Sequence, residues 1–425
     1  MSGKTTFVIV GGGLAGACAA EALRDNGFDG DIVLFADEEQ LPYDRIPLSK
    51  EFLAPKTSPL ARAYAEADQR LALSDFTLHD PDWYWEHDVD LQIGVRATSV
   101  QPAAHTVGLA DGTIVRYDKL LLATGSRSRR PAIPGADAAG VHYLRTYADA
   151  VSLDSALTHG SSLAIVGGGW IGLEVAASAR HRGVHVTVLH RGRLPLLTTL
   201  GAEMAAVFAR LHREHEVDLR LNTQAAAITT AGGNATGLAL TDGSHLPADA
   251  ILVAVGAQPN IELAGRAGLA TGSGGVLVDA SMRSNDPDIY AVGDIAAAEH
   301  PFLGTRIRTE HWANARKQPK VAAAGMLGRP AEYADLPYFF TDQYDLGMEY
   351  VGYAPTDRQV VLRGDVTSRE FVAFWLDDGH RVLAGMNVNI WGVVDDIKNL
   401  IRARVPVDPG RLADNRQPLA DVLPR

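Results

Sequence analysis

Six glycines in two triplets define the chemistry open to this chain: Gly11, Gly13 and Gly16, then Gly167, Gly169 and Gly172, each spaced G-x-G-x-x-G. In such a triplet the first glycine allows a tight turn. The second lets backbone N–H groups approach a pyrophosphate at the positive end of a helix, and the third lets that helix pack closely on a strand. A glycine-rich turn without a ligand is the alternative for either triplet alone. The surrounding segments, VIVGGGLAGACAAEALRDNG from Val8 and AIVGGGWIGLEVAASARHRG from Ala164, align without gaps. A duplicated segment usually duplicates a physical job, so two dinucleotide sites are expected. Leu14 and Ala15, and Trp170 and Ile171, fill the variable turn positions. The copies differ where an adenosine ribose would lie. After IVLF the first has Asp37, whose carboxylate can accept from the ribose hydroxyls of FAD or NAD. After VTVL the second has His190, Arg191, Gly192 and Arg193 and no acid, so its cations fit a 2′-phosphate or form a solvated basic turn.

The elements that must hold these residues follow from the same segments. FVIV, the glycine turn, an alanine-rich stretch and IVLF spell strand, turn, helix, strand; LAIV, GGGWIG, LEVAASARHR and HVTVL repeat the order. Each unit is therefore a βαβ with parallel strands. LLLATGSRSR (120–129) and ILVAVGAQPN (251–260) are apolar strands running into Gly125 and Gly256, and look like crossings between domains. SMRSNDPDIYAVGDIA (281–296) ends a strand in Gly293-Asp294, where a carboxylate can bind a ribityl hydroxyl.

Composition narrows the function classes. A chain of 425 residues predicts two to four domains. A formal charge of −12 argues against a broad nucleic-acid or anionic-membrane footprint. The single cysteine, Cys18, can form neither an internal disulfide nor a CxxC redox pair, so redox chemistry must use a cofactor. The opening segment has too short an apolar run for a signal peptide, and no run of about 18 apolar residues follows, so a cytoplasmic protein without a membrane segment is expected. HDPDWYWEHD (79–88) has histidines and acids but no metal-ligand spacing, and no metal site is expected. Nothing in the sequence sets the oligomeric state.

Together, the paired glycine motifs, Gly293-Asp294, PYDRIPLSKEFL (42–53), RTEHWANA (308–315) and PYFFTDQYDLGMEYVGY (337–353) resemble the two-dinucleotide-binding flavoprotein reductases. Within them the match is to the FAD-dependent ferredoxin reductases of oxygenase and cytochrome P450 electron-transfer chains. The resemblance implies an α/β fold with two Rossmann-like domains and a carboxy-terminal α/β domain. FAD would occupy a discontinuous domain of residues 1–117 and 250–329, NAD(P)H residues 118–249, and the last domain residues 330–425. It implies non-covalent FAD, NADPH or NADH as donor, and a [2Fe-2S] ferredoxin as partner. A monodehydroascorbate or quinone reductase shares the same flavin logic, and an apoptosis-inducing-factor-like protein would instead use the flavin state to control partner binding.

Carried onto the PLSK match, the resemblance places Lys50 beside the reactive edge of the flavin, where its ammonium would stabilise negative charge on the reduced ring. Taken without that context, Lys50 is an exposed lysine. Glu174 stands where the first copy has Cys18, either as a partner of Lys50 that helps hold the nicotinamide or as an acid placed by a helix N-terminus. Trp170 either stacks on the nicotinamide or packs internally. Arg45 and Arg129 resemble FAD contacts, and Ala97, Glu310, Trp312 and Gly256 match positions lining the cofactors. His190, Arg191 and Arg193 predict a preference for NADPH, although the family often carries an acid there. For an acidic chain to attract an acidic ferredoxin it needs a local cation patch. Arg306, Arg308, Arg316, Lys317 and Lys320 supply the densest one, with Arg316, Lys317 and Lys320 as docking candidates. Pro319 puts the regularity of that helix in doubt.

Overall fold

The computed structural model describes residues 4–54 and 72–423. The chain divides into two compact units: Met1–Asp44, Ala72–Arg127 and Gln258–Pro337 form the first, and Arg45–Leu71, Ser128–Ala257 and Tyr338–Arg425 the second. The fold is α/β.

At the centre of the first unit is β1 (Thr6–Val10), which runs parallel to Lys119–Leu122 on one side and, after α1 (Leu14–Asp25), to β2 (Asp31–Phe35) on the other. Val89–Gln92 and Ile289–Ala291 complete the parallel sheet at its two edges. A parallel strand covered on both faces must be apolar throughout, and Phe7, Val8, Ile9 and Val10 are all buried. Strand order reverses at β1, so the loop leaving its carboxyl end opens into the crevice where ligands of such sheets bind. Small residues on α1, from Ala15 to Ala20, let it pack closely on the helix Trp312–Met326. That helix runs unbroken through Pro319.

The second unit repeats the plan with β3 (Ser162–Val166), α2 (Trp170–His181) and β4 (His185–His190). Its sheet, all parallel, runs in the order Asp218–Leu221, β4, β3, Ala250–Val253, Val141–His142. Both copies end their helices alike. The Gly27 N–H donates to Arg24 O (2.8 Å) and Phe28 to Leu23 O (3.0 Å); Gly183 donates to Arg180 O (3.0 Å) and Val184 to Ala179 O (3.1 Å). Gly27 and Gly183, at φ +78° and +75°, take the left-handed conformation that this cap requires.

An antiparallel sheet belongs to the same unit, with β5 (Tyr338–Gln343) at one edge, then β6 (Leu346–Gly352), Val382–Val388, Glu370–Leu376 and Gln359–Asp365. Phe371, Trp375 and Met386 from this sheet share a core with Leu200, Met204 and Phe208 of the helix Leu197–Glu214. Each such side chain contributes on the order of 1.5–3 kcal/mol when fully buried, so the sheet and that helix are held as one body. No helix among the described residues is long and apolar enough to cross a membrane.

Candidate functional site

In each copy the glycines do different steric work. Gly11 and Gly167 sit at φ +125° and +116°, and a Cβ on either would lie 2.2 Å from a neighbouring carbonyl oxygen, Ala123 O or Ala254 O. A Cβ on Gly16 or Gly172 would lie 1.9 or 2.2 Å from the carbonyl oxygen of the first glycine. Gly13 and Gly169 are the opposite case: a Cβ there would meet nothing within 4 Å. Each of the two serves as the N-cap of its helix without a capping side chain, and neither helix has an acid in its first turn. The free N–H groups and the helix dipole are left to an outside anion, which fits the pyrophosphates of FAD and NAD(P)H.

Sheet register aligns the sugar positions of the two copies. Val10 pairs with Phe35 and Val166 with Leu189, so Asp37 and Arg191 each stand two residues past the matching pair. Asp37 is held by Arg96 through two hydrogen bonds of 2.8 and 2.7 Å. Arg191 and Arg193 are exposed and make no ion pair among the described residues. His190 departs from the expected role of a phosphate-binding cation. Its Nδ1 accepts from the Gly168 N–H at 3.3 Å, and burial lowers its pKa. It is a neutral wedge against the turn, and the charge is left to the two arginines.

Lys50 is not a surface lysine. It follows the short helical turn Ile46–Ser49, is 5% exposed, and places Nζ 2.9 Å from Glu174 Oε1. Ser49 Oγ donates to the other Glu174 oxygen (2.5 Å), and Thr341 Oγ1, on β5, donates to Oε1 (2.6 Å). Burial alone would lower the Lys50 pKa; the charge of Glu174 and its hydrogen bond outweigh that and hold it above the ordinary value. Glu174 is the fifth residue of α2, beyond the first turn, so the helix N-terminus does not account for its position. The buried ammonium does. Lys50 Nζ also lies 5.5 Å from the centre of the Phe340 ring. Ser49 and Thr341 were missed by sequence reasoning; the signal available was that each lies inside a segment matched for other reasons.

Trp170 is half-buried, edge-on to Phe208 (5.6 Å) and tilted on Phe339 (5.2 Å), while Ile171 is exposed. The Trp312 indole N–H donates to Asp44 Oδ2 at 2.7 Å, and Glu310 pairs with Arg308 at 2.8 Å. Arg308 also donates to the Asp294 carbonyl, and the Gly293 N–H donates to Gln318 Oε1 (2.8 Å). Arg45 donates to Arg145 O (2.7 Å), the Arg129 N–H to Gly256 O (2.9 Å), and Ala97 opens a strand that pairs with Thr106–Leu109. Cys18 is buried, which pushes its thiol up to about 11; it is protonated in neutral solution and no nucleophile. His79 and His87 stack on the two sides of Trp83, at 3.8 and 4.3 Å.

Comparison with known proteins places this geometry in a family. A family model described as pyridine nucleotide-disulphide oxidoreductase matches residues 5–319, and one described as reductase C-terminal matches 338–423. The anthranilate 1,2-dioxygenase system ferredoxin–NAD(+) reductase component of Burkholderia cepacia is 38% identical over 96% of this chain and 97% of its own. Rhodocoxin reductase of Rhodococcus erythropolis is 36% identical over 96% of this chain and 92% of its own. The chain belongs to the ferredoxin reductase branch of the pyridine nucleotide-disulphide oxidoreductases. A solved putidaredoxin reductase–putidaredoxin complex contains a chain similar over 99% of this one and 98% of its own, with a TM-score of 0.91 and 33% identity. Membership explains the combination of two open glycine turns with a lone, buried cysteine: the family's cofactors are FAD and NAD(P)H, and this reductase adds no thiol pair to them.

The basic stretch is smaller than its charge count. Arg306 is spent on the Val278 and Ala297 carbonyls and Glu299, and Arg308 on Asp294 O and Glu310. Lys317 pairs with Asp335 at 3.3 Å. Arg316, over the Trp312 ring at 5.1 Å, and Lys320 remain exposed one turn apart.

Proposed function

We propose that the chain is an NAD(P)H:ferredoxin oxidoreductase, delivering electrons through non-covalent FAD to a small [2Fe-2S] ferredoxin that supplies an oxygenase or cytochrome P450 in the cytoplasm. The observation that carries this reading is the pair of open glycine turns in a chain whose one thiol is buried and protonated. A dithiol route for the electrons is absent, so they leave the flavin for an outside acceptor. FAD, when bound, supplies the conversion of a two-electron hydride into one-electron steps.

The chain's own residues divide the remaining work. Gly11, Gly13, Leu14, Ala15 and Gly16 hold the FAD pyrophosphate and Asp37 its ribose. Ala97, Gly293, Asp294, Glu310 and Trp312 line the rest, within residues 1–117 and 250–329, and Arg45 and Arg129 are the further FAD contacts that the family resemblance implies. Gly167, Gly169, Trp170, Ile171, Gly172 and Gly256 hold the nicotinamide nucleotide. Lys50, oriented by Glu174, Ser49 and Thr341, offers a fixed positive charge that strengthens as negative charge develops beside it, without reorganising. Arg191, at the position in the second copy that matches Asp37 in the first, favours a 2′-phosphate over a hydroxyl and so NADPH over NADH. Arg316 and Lys320, with Lys317, offer the acidic ferredoxin a cationic landing site.

Steady-state reduction of a [2Fe-2S] ferredoxin by the flavin-loaded protein tests the reading. Saturable, NAD(P)H-dependent bleaching of the iron–sulfur chromophore is expected. Rapid flavin reduction with no transfer to any ferredoxin offered, and rapid transfer to a quinone, would sink it.

A further inference from the structure

The Lys50 site holds more carboxyl groups than one ammonium can balance. Glu174 is committed to Lys50, Ser49 and Thr341. Glu51, the next residue in the chain, is 7% exposed, and its Oε2 has no hydrogen-bond partner among the described residues. Asp342, next to Thr341 on β5, lies close enough for its charge to act on Lys50 and on Glu51. Among the described residues, the elements around them bring no second free cation. From α2 come Glu174 and Ser178, whose hydroxyl lies 3.1 and 3.3 Å from the Ser49 and Lys50 carbonyls. Arg182, just past the end of α2, is paired with Asp154 of the helix Tyr147–Ala156. From β6 comes Glu349, already bonded by Tyr338 and Asn387.

With Lys50 and Glu174 neutral as a pair, an ionised Glu51 would be a buried anion without a counter-charge among the described residues. Such a group holds a proton more tightly than an exposed carboxylate does, and added negative charge tightens that hold further. Burial pushes the Glu51 carboxyl up to about 7, with Asp342 and Glu174 raising it further and its own amide and Lys50 holding it back. Burial raises Asp342 as well, with Lys50 opposing.

We infer that Glu51 is the proton-holding residue of the Lys50 site, taking one proton from solvent when negative charge is added there and returning it when that charge leaves. The inference rests on the electron-transfer reading, because only a reaction that changes the charge beside Lys50 gives such a residue work. In the molecules whose Glu51 is ionised beforehand, each proton bound converts one carboxylate to one carboxylic acid, so one added negative charge is offset by one proton. Glu51 acts through Lys50 and is a positioning residue in this role.

The experiment uses the flavin-loaded protein reduced by dithionite, so it needs neither nucleotide nor ferredoxin. Three quantities are followed between pH 5.5 and 8.5: the flavin midpoint potential, the proton uptake reported by an indicator dye, and the infrared carbonyl band of protonated carboxyl groups. The wild type is expected to show a change in the slope of potential against pH near 7, together with a carboxylic-acid band that disappears over the same range. Glu51→Gln, which keeps the volume, should remove both, while Asp342→Asn should keep them. A slope change and band that survive in Glu51→Gln overturn the inference, as does their loss in Asp342→Asn alone. A wild type with no protonated-carboxyl band at pH 6 overturns it without recourse to any variant. If the slope change is present but no ferredoxin is ever reduced, the functional reading fails and the assignment of the proton to Glu51 stands.

Discussion

The two glycine turns are the same backbone built twice, and two of their side-chain differences separate their chemistry. At the sugar position the first has Asp37, bonded to Arg96, and the second has Arg191, which makes no ion pair among the described residues. Two residues past the third glycine, the first has Cys18 and the second Glu174. One of these is a protonated thiol among small residues; the other is a carboxylate tied to Lys50. The comparison separates what is set by backbone from what is set by single side chains. Pyrophosphate recognition belongs to the first kind, because it needs only a turn and open N–H groups. The choice of nucleotide and the handling of charge belong to the second.

Breaking the shared part has the largest expected effect. Gly11→Ala forces a Cβ into a left-handed turn and against Ala123 O, and should cost about 3 kcal/mol or more together with bound flavin. Gly167→Ala should do the same to the second unit while the first keeps its flavin. Thermal melting and the flavin absorbance per chain check both. Gly13→Ala sharpens the contrast: its Cβ meets nothing, so the melt should barely move while flavin retention falls. Equal melting losses for Gly13→Ala and Gly11→Ala would mean that the open space does not mark a ligand site.

The next effect belongs to Glu174 and its partner. Lys50→Met should retain FAD and slow flavin bleaching by NAD(P)H in stopped flow by about 100-fold, the scale of losing one preorganised charge. It also leaves Glu174 buried and unpaired, so Lys50→Met/Glu174→Gln separates lost charge stabilisation from damage to the site. A double variant as fast as the wild type would remove Lys50 from the reaction.

These contrasts also mark how far the sequence could be read. Both turns were legible because a φ above +100° beside a carbonyl leaves no residue but glycine at the first position, close packing on that glycine's carbonyl requires glycine at the third, and their spacing survives in one dimension. Asp37 and Arg191 were legible because parallel register fixes how far past the turn they stand. The closure of Glu174 was not. Ser49 and Thr341 reach it across separations of 125 and 167 residues, and nothing local announces that two hydroxyls will meet one carboxylate. Charge counting failed for a related reason. Arg306 and Arg308 look like free cations in the sequence, yet backbone carbonyls and nearby glutamates absorb them. His190 looked cationic until packing against Gly168 made it a neutral acceptor.

A smaller effect tests the sugar position. Arg191→Asp copies the first turn into the second and should move the ratio of kcat/KM for NADPH over NADH by about 10- to 100-fold toward NADH, the size of one charge-assisted pair exchanged for a repulsion. Raising salt should shrink the wild-type preference, because Arg191 is exposed and screened. A wild type that already prefers NADH, with a ratio unmoved in Arg191→Asp, would leave the basic turn facing solvent and end the nucleotide half of the comparison.

The smallest effect is expected at Cys18, and it completes the contrast with Glu174. If the two positions differ as argued, Cys18→Ala should leave the flavin reduction rate unchanged and cost about 1 kcal/mol of stability near pH 7, the loss of one small buried group. The pH dependence tells more than the single value. Burial raises the thiol from 9.0 to about 11, opposed by Arg316 and aided by Glu21. The folded state therefore holds the proton more tightly than the unfolded chain, whose thiol ionises from pH 9 upward. Wild-type stability falls as pH rises from 9 toward 11, by about 1.4 kcal/mol at pH 10 for this group. The alanine variant escapes that loss, so its deficit should close near pH 10. Melting curves of both proteins at pH 7, 9 and 10 read the effect directly, since every other titrating group cancels in the difference. A constant deficit across that range would mean that Cys18 ionises as freely folded as unfolded, and the thiol would then have to be counted among the groups that can act.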